Sequence, residues 1–184
     1  MRKTICVLLT ITILHGLWSC NEDVEYLYSR YHARFVYRNV LNTIPLKNAL
    51  NNLGTYCTIQ SKNNEYVFTD NAGNTQSVPK SYIEGLTKPV FIAGLIVGYP
   101  ATTNIKGQYA RVAYDLACPN CYETTSIVRA LSINANHMAT CGRCHCVYDL
   151  ATGDINDGDT DIRRLITYQY ITYFDNSNDL SVTN

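Results

Sequence analysis

Along most of the chain the apolar residues recur at every second position, the spacing of strands with one buried face. Residues 33–38, Ala-Arg-Phe-Val-Tyr-Arg, predict a first strand. Residues 56–60 and 65–69 alternate on either side of Asn63-Asn64, which suits a hairpin turn. Residues 45–54 break this rhythm: Leu46, Ala49, Leu50 and Leu53 lie at helical spacing and Gly54 closes the stretch, so a short helix or helical turn is expected. The run 89–99 is apolar almost throughout, and Gly94 and Gly98 would break a helix, which leaves strand and turn. Residues 108–115 alternate again and feed directly into a cysteine pair. Residues 164–173, rich in tyrosine, isoleucine and threonine, predict a closing strand, and the tail from Asp175 to Asn184 reads as frayed. Short strands separated by glycine-bearing turns predict an all-β domain, a compact sandwich or small barrel, with no internal repeat and no second domain.

Composition narrows the function. The chain has 184 residues, 46% hydrophobic and 16% charged, which is the globular range. Its 15 basic residues balance 15 acidic ones, so nothing electrostatic points to nucleic acid. The N-terminus reads as a targeting segment: Arg2 and Lys3 precede an apolar run over 5–14, too short to span a bilayer. Leu17-Trp18-Ser19-Cys20 then resembles a lipobox, the bacterial lipoprotein cleavage motif, with Cys20 as the lipidated residue. Asn21-Glu22-Asp23 resembles the acidic tags that send some lipoproteins to the outer face of the outer membrane. The expected organisation is a signal peptide over 1–19, a lipidated tether over 20–32, one β domain over 33–175 and a flexible tail over 176–184. Loss of Arg2 and Lys3 leaves the mature chain two charges acidic.

Eight cysteines are many for this length. With Cys6 in the signal and Cys20 taken by lipid, six remain: Cys57, Cys118, Cys121, Cys141, Cys144 and Cys146. The informative pattern is Cys118-Pro119-Asn120-Cys121 followed by Cys141-Gly142-Arg143-Cys144. A C-x-x-C turn aims two sulfurs at one point, and two such turns supply four thiolates for a tetrahedral centre. Zinc, mononuclear iron and a [2Fe–2S] cluster all accept that set.

The second pair with the residues after it, Cys141-Gly142-Arg143-Cys144-His145-Cys146-Val147-Tyr148-Asp149-Leu150-Ala151-Thr152-Gly153, is similar to the second cluster loop of Rieske-type iron–sulfur domains. Tyr114-Asp115-Leu116-Ala117-Cys118 resembles the strand that delivers the first cluster cysteine in that family. The resemblance implies a Rieske-like β fold with two loops pinched together by a metal centre. It departs from the family in the ligands: Cys144 stands where a histidine is usual, and the first loop has Cys118 and Cys121 separated by two residues where the family has a cysteine, one residue and a histidine. The high potential that histidine ligation confers is therefore not expected.

Other readings compete. Cys141-Gly142-Arg143-Cys144-His145 is also a literal haem attachment motif; Cys118-Pro119-Asn120-Cys121 after a strand resembles a thioredoxin-like redox motif; and four cysteines in an oxidising compartment can form two disulfides. Cys57 and Cys146 could pair or stay as separate buried thiols. His145 suits a solvated loop tip, Arg129 and Arg143 could offset thiolate charge, and the acidic stretch 153–161 reads as a polar hairpin turn. There is no nucleophile–base pair, no supported carboxylate pair and no phosphate loop, which argues against a hydrolase or transferase. The expectation is an exported lipoprotein, lipid-anchored at the outer membrane and facing the cell surface or periplasm. Its four cysteines would hold zinc as a binding or structural module, with a [2Fe–2S] electron carrier as the alternative.

Overall fold

The computed structural model describes residues 28–184 other than Ile105 and Arg163. The targeting segment and the lipobox with Cys20 lie outside the described residues. In chain order come β1 (Arg34–Tyr37), a 3-10 turn (Val40–Asn42), α1 (Ile44–Asn51), β2 (Thr55–Lys62), β3 (Glu65–Asp70), β4 (Thr75–Pro79), α2 (Tyr82–Leu86), β5 (Leu95–Tyr99) and β6 (Val112–Asp115). Then follow α3 (Pro119–Thr125), β7 (Ser132–Ile133), β8 (Met138–Thr140), β9 (Val147–Asp149), β10 (Ile155–Asp157), β11 (Tyr170–Thr172) and β12 (Leu180–Thr183). The strands form three antiparallel sheets, ordered β4-β3-β2-β5-β6, β1-β12-β11 and β10-β9-β8-β7. The protein is all-β with short helical connections, as the alternation predicts. Among the described residues no helix is long and apolar enough to cross a membrane.

Side-chain alternation along the central strands divides the interior into two cores. From β2, Cys57 and Ile59 enter one and Tyr56 the other; from β5, Leu95 and Val97 enter the first and Ile96 the second; from β6, Ala113 and Tyr114 separate in the same way. The five-stranded sheet is thus covered on both faces, which explains why Leu95, Ile96 and Val97 are all buried and why that stretch reads as a continuous apolar run. The first core packs Phe35 and Tyr37 of β1, Leu46 and Leu50 of α1, Tyr66 and Phe68 of β3, and Leu180 and Val182 of β12. The second gathers Tyr114, Leu116, Leu131, Tyr148, Leu150 and Leu165 around the cysteines.

Three expectations need correction. The tail is not frayed: β12 is the middle strand of its sheet, pairing Phe35 with Val182 on one side and Ile171 with Val182 on the other. Asn178 fastens its approach, accepting from Leu41 N–H and donating to the Arg38 carbonyl. The closing strand expected over 164–173 is broken into two isolated bridges, Arg164 to Asp154 and Thr167 to Tyr114, before the short β11. The described end of the expected tether lies against the body. Ser29 N–H donates to the Thr167 carbonyl, the Tyr31 hydroxyl donates to Glu123, and the Tyr31 ring stacks edge-on to Tyr122 at 5.2 Å. The 89–99 run becomes strand only from Leu95, and β4 and α2 are elements the pattern did not announce.

Candidate metal centre

Asp115, the last residue of β6, is buried and builds the base of the first cysteine loop. Its carboxylate accepts from the N–H groups of Ile92, Ala93 and Ala117 and from the Tyr168 hydroxyl. Burial pushes its pKa up, opposed by those donors. The loop before β5, the exit from β6 and the segment before β11 are thereby tied to one side chain. The chain then passes Leu116 and Ala117 to Cys118, which caps α3 and is held by a hydrogen bond from its N–H to the Arg129 carbonyl at 2.7 Å. Pro119 occupies the first helical turn, where no N–H is needed, and Cys121 falls within that turn. Thr124 and Thr125 keep the helix despite their branching, because their hydroxyls donate to the Asn120 and Cys121 carbonyls. A short helix thus runs through and beyond the first pair.

The second loop turns between β8 and β9. Cys141 N–H donates to the Cys146 carbonyl, His145 N–H donates back to the Cys141 carbonyl, and His145 takes a left-handed φ of 60° at the tip. This closed knuckle brings Arg143 N–H to 3.4 Å from the Cys141 sulfur.

Together the two loops place the Sγ atoms of Cys118, Cys121, Cys141 and Cys144 within 4.8 Å of one another. The cross-loop separations are 3.5 Å for Cys118–Cys144 and 3.8 Å for Cys121–Cys141. A tetrahedron of sulfurs about 2.3 Å from a central ion has edges of about 3.8 Å, so the group could hold a metal ion. The first three are buried, and Cys144 is partly exposed. All six described cysteines are free thiols, and the two-disulfide reading has no counterpart here. Cys57 and Cys146 do not pair. Cys57 lies in the first core, donating to the Thr58 carbonyl, and Cys146 lies in the second.

The surroundings act differently on the individual sulfurs. Burial raises the Cys118 thiol strongly and pushes Cys121 up to about 11. A coordinating cation reverses this, because a metal-bound thiol is deprotonated outright. Burial also acts to raise Cys144, but the Cys146 N–H, the Asn120 amide and the Cys146 and Cys118 thiols outweigh it and bring Cys144 down to about 6. The Tyr148 hydroxyl is buried beside these sulfurs; it interacts with the Cys146 thiol but meets no strict hydrogen-bond geometry among the described residues.

Sequence reasoning missed a third piece of this site. The Asn120 amide donates to the Cys146 sulfur at 3.5 Å while its carbonyl oxygen accepts from the Thr160 hydroxyl at 2.8 Å. The segment after β10 is thereby drawn over the cysteines. Gly158 allows the approach: with φ of +131°, a Cβ there would stand 2.9 Å from the Cys146 sulfur. Only Asn120, lying inside the C-x-x-C, was findable from spacing; Thr160 sits forty residues on, in a stretch that reads as a polar turn. His145 is exposed, and Arg129 and Arg143 are exposed beside a shallow concavity of about 450 Å³ next to the second loop. No protein-family model matches this chain, and no curated protein or solved structure compared with it does.

Proposed function

We propose that Cys118, Cys121, Cys141 and Cys144 hold one zinc ion, and that the protein is a non-catalytic, metal-clamped module. The observation that carries this is the meeting of four sulfurs, two from each loop, within 4.8 Å. That spacing supports a single ion. In a [2Fe–2S] cluster the two cysteine pairs bind different irons and stand farther apart than the edge of one tetrahedron. Four protein ligands with no open position suit a structural role rather than catalysis. Bound zinc would neutralise the thiolates and clamp the first loop to the second, with Arg143 N–H donating to the Cys141 sulfur.

The Rieske resemblance supports a second reading as a [2Fe–2S] electron carrier. What supports it is the likeness of the stretch from Cys141 to Gly153 to the second Rieske cluster loop, and the partly exposed Cys144 would offer an electron a short way out. On either reading the protein is exported and anchored through lipid on Cys20 at the outer membrane, at the cell surface or facing the periplasm; the lipobox-like Leu17-Trp18-Ser19-Cys20 supports this. Metal analysis and a visible spectrum of protein purified without oxygen test the proposal. One zinc per chain and no colour are expected, while an absorbing iron–sulfur chromophore would move the function to electron transfer. Cys20→Ala should abolish fatty-acid labelling, and equal labelling would remove the anchor.

A further inference from the structure

One face of the molecule, remote in sequence from the cysteine loops, is built yet unused. Helix α2 has a complete capping box: Glu84 N–H donates to the Ser81 hydroxyl, and Ser81 N–H donates to the Glu84 carboxylate. Nevertheless it buries nothing. Tyr82, Ile83 and Leu86 are 82%, 60% and 66% exposed. A five-residue helix gains little from its own hydrogen bonds, and its apolar side chains usually anchor it by packing. Here they point to something else.

Beside α2 lies the outer side of β1, where alternation sends Phe35 and Tyr37 inward and leaves Arg34 and Val36 exposed, followed by the exposed Arg38. Arg34, Val36, Arg38, Ile83 and Lys88 line one open concavity of about 240 Å³. Val90, bridged to Arg34, extends its apolar rim. None of Arg34, Arg38 and Lys88 forms an ion pair among the described residues. Among the described residues lining the concavity the one acid is Glu84, which is half-buried and engaged by Ser81. Tyrosine and aliphatic side chains set among unpaired cations are the chemistry of an element that rests in a lipid headgroup layer.

We propose that this face docks on an anionic lipid surface, Tyr82, Ile83 and Leu86 entering the headgroup region while Arg34, Arg38 and Lys88 meet lipid phosphates. Charge complementarity argues for that occupant, and so does reach. If Cys20 carries lipid, as proposed above, the chain from it to Tyr28 spans at most about 28 Å. The tether therefore keeps the body beside a bilayer at high effective concentration. Each cation near such a surface contributes roughly fivefold to partitioning.

The test uses the full-length lipidated protein carrying Ile83→Trp, reconstituted in phosphatidylcholine vesicles with and without phosphatidylglycerol. Trp fluorescence is compared with the parent chain, whose one Trp, Trp18, lies in the expected signal. Blue-shifted emission quenched by brominated lipid is expected in the anionic vesicles. It should weaken at least about tenfold with Arg34→Glu and Arg38→Glu together, or in about 1 M salt. Co-flotation with no quenching would overturn the docking face and leave the anchor intact. Quenching in anionic vesicles without flotation on neutral ones would keep the face and remove the anchor. Emission that shifts only when a second protein is added would assign the groove to a protein partner and overturn the proposal.

Discussion

On one face of the central sheet the core is closed by large side chains on β1, β3 and β12 and a helix; on the other, leucines and tyrosines surround four cysteines and the covering strands are only two or three residues long. The first core buries Phe35, Tyr37, Leu46, Leu50, Tyr66 and Phe68, with β2 running eight residues and β3 six. Each such side chain contributes about 1.5–3 kcal/mol by leaving water, so that half is stable through burial. In the second, β7 has two residues and β8, β9 and β10 have three each. A sheet that short has few ladder bonds and little apolar area, the condition in which small units depend on a metal or disulfide. If the cysteines hold a metal as proposed, the contrast teaches that one fold can carry two sources of stability, burial on one face and coordination on the other.

The largest expected effect breaks the comparison at the metal. Structural zinc can supply about 10–16 kcal/mol of apparent binding free energy, so chelation, Cys118→Ser or Cys144→Ser should unfold the four-stranded unit. Hydrogen exchange should show protection lost across β7–β10 and kept in β2, β3 and β5. Uniform loss in both halves would mean that they are not separable. Next, Phe68→Ala should cost about 3–5 kcal/mol in denaturant unfolding of the first core, while the folded protein keeps its metal stoichiometry. Asp115→Asn should fall between the halves: it leaves donors from Ile92, Ala93, Ala117 and Tyr168 short of acceptors, at about 1–3 kcal/mol each time a buried group is orphaned. Zinc exchange should quicken in that variant, because Asp115 seats the first loop. The smallest effect is expected from Cys57→Ser, about 1 kcal/mol, since that thiol belongs to the other core and keeps a carbonyl acceptor; melting resolves it from the ligand mutants.

The hairpin around Asn63-Asn64, the helix after Pro45 and the two cysteine pairs were legible because each is a local signal: a period, a turn residue, a spacing. What was not legible is set by distant partners. Leu180-Ser181-Val182-Thr183 is an ordinary polar alternation, and it becomes a central strand only because β1, some 145 residues earlier, needs a neighbour. Conversely, the tyrosine-rich 164–173 stretch has strong β preference, yet its first half spans between sheets to bridge Asp154 and Tyr114, so it cannot continue one ladder. The same limit applies at the site. Four sulfurs announce themselves by spacing, whereas the Thr160–Asn120–Cys146 contact depends on a loop folding back over them.

The most direct test of the shared centre is cobalt substitution of the metal-free protein, read by absorption. Four thiolates around one tetrahedral ion predict strong sulfur-to-cobalt charge transfer and intense visible bands at one equivalent, lost or weakened equally by Cys118→Ser and Cys144→Ser. A pale octahedral spectrum, or bands unchanged when either cysteine is replaced, would contradict the account.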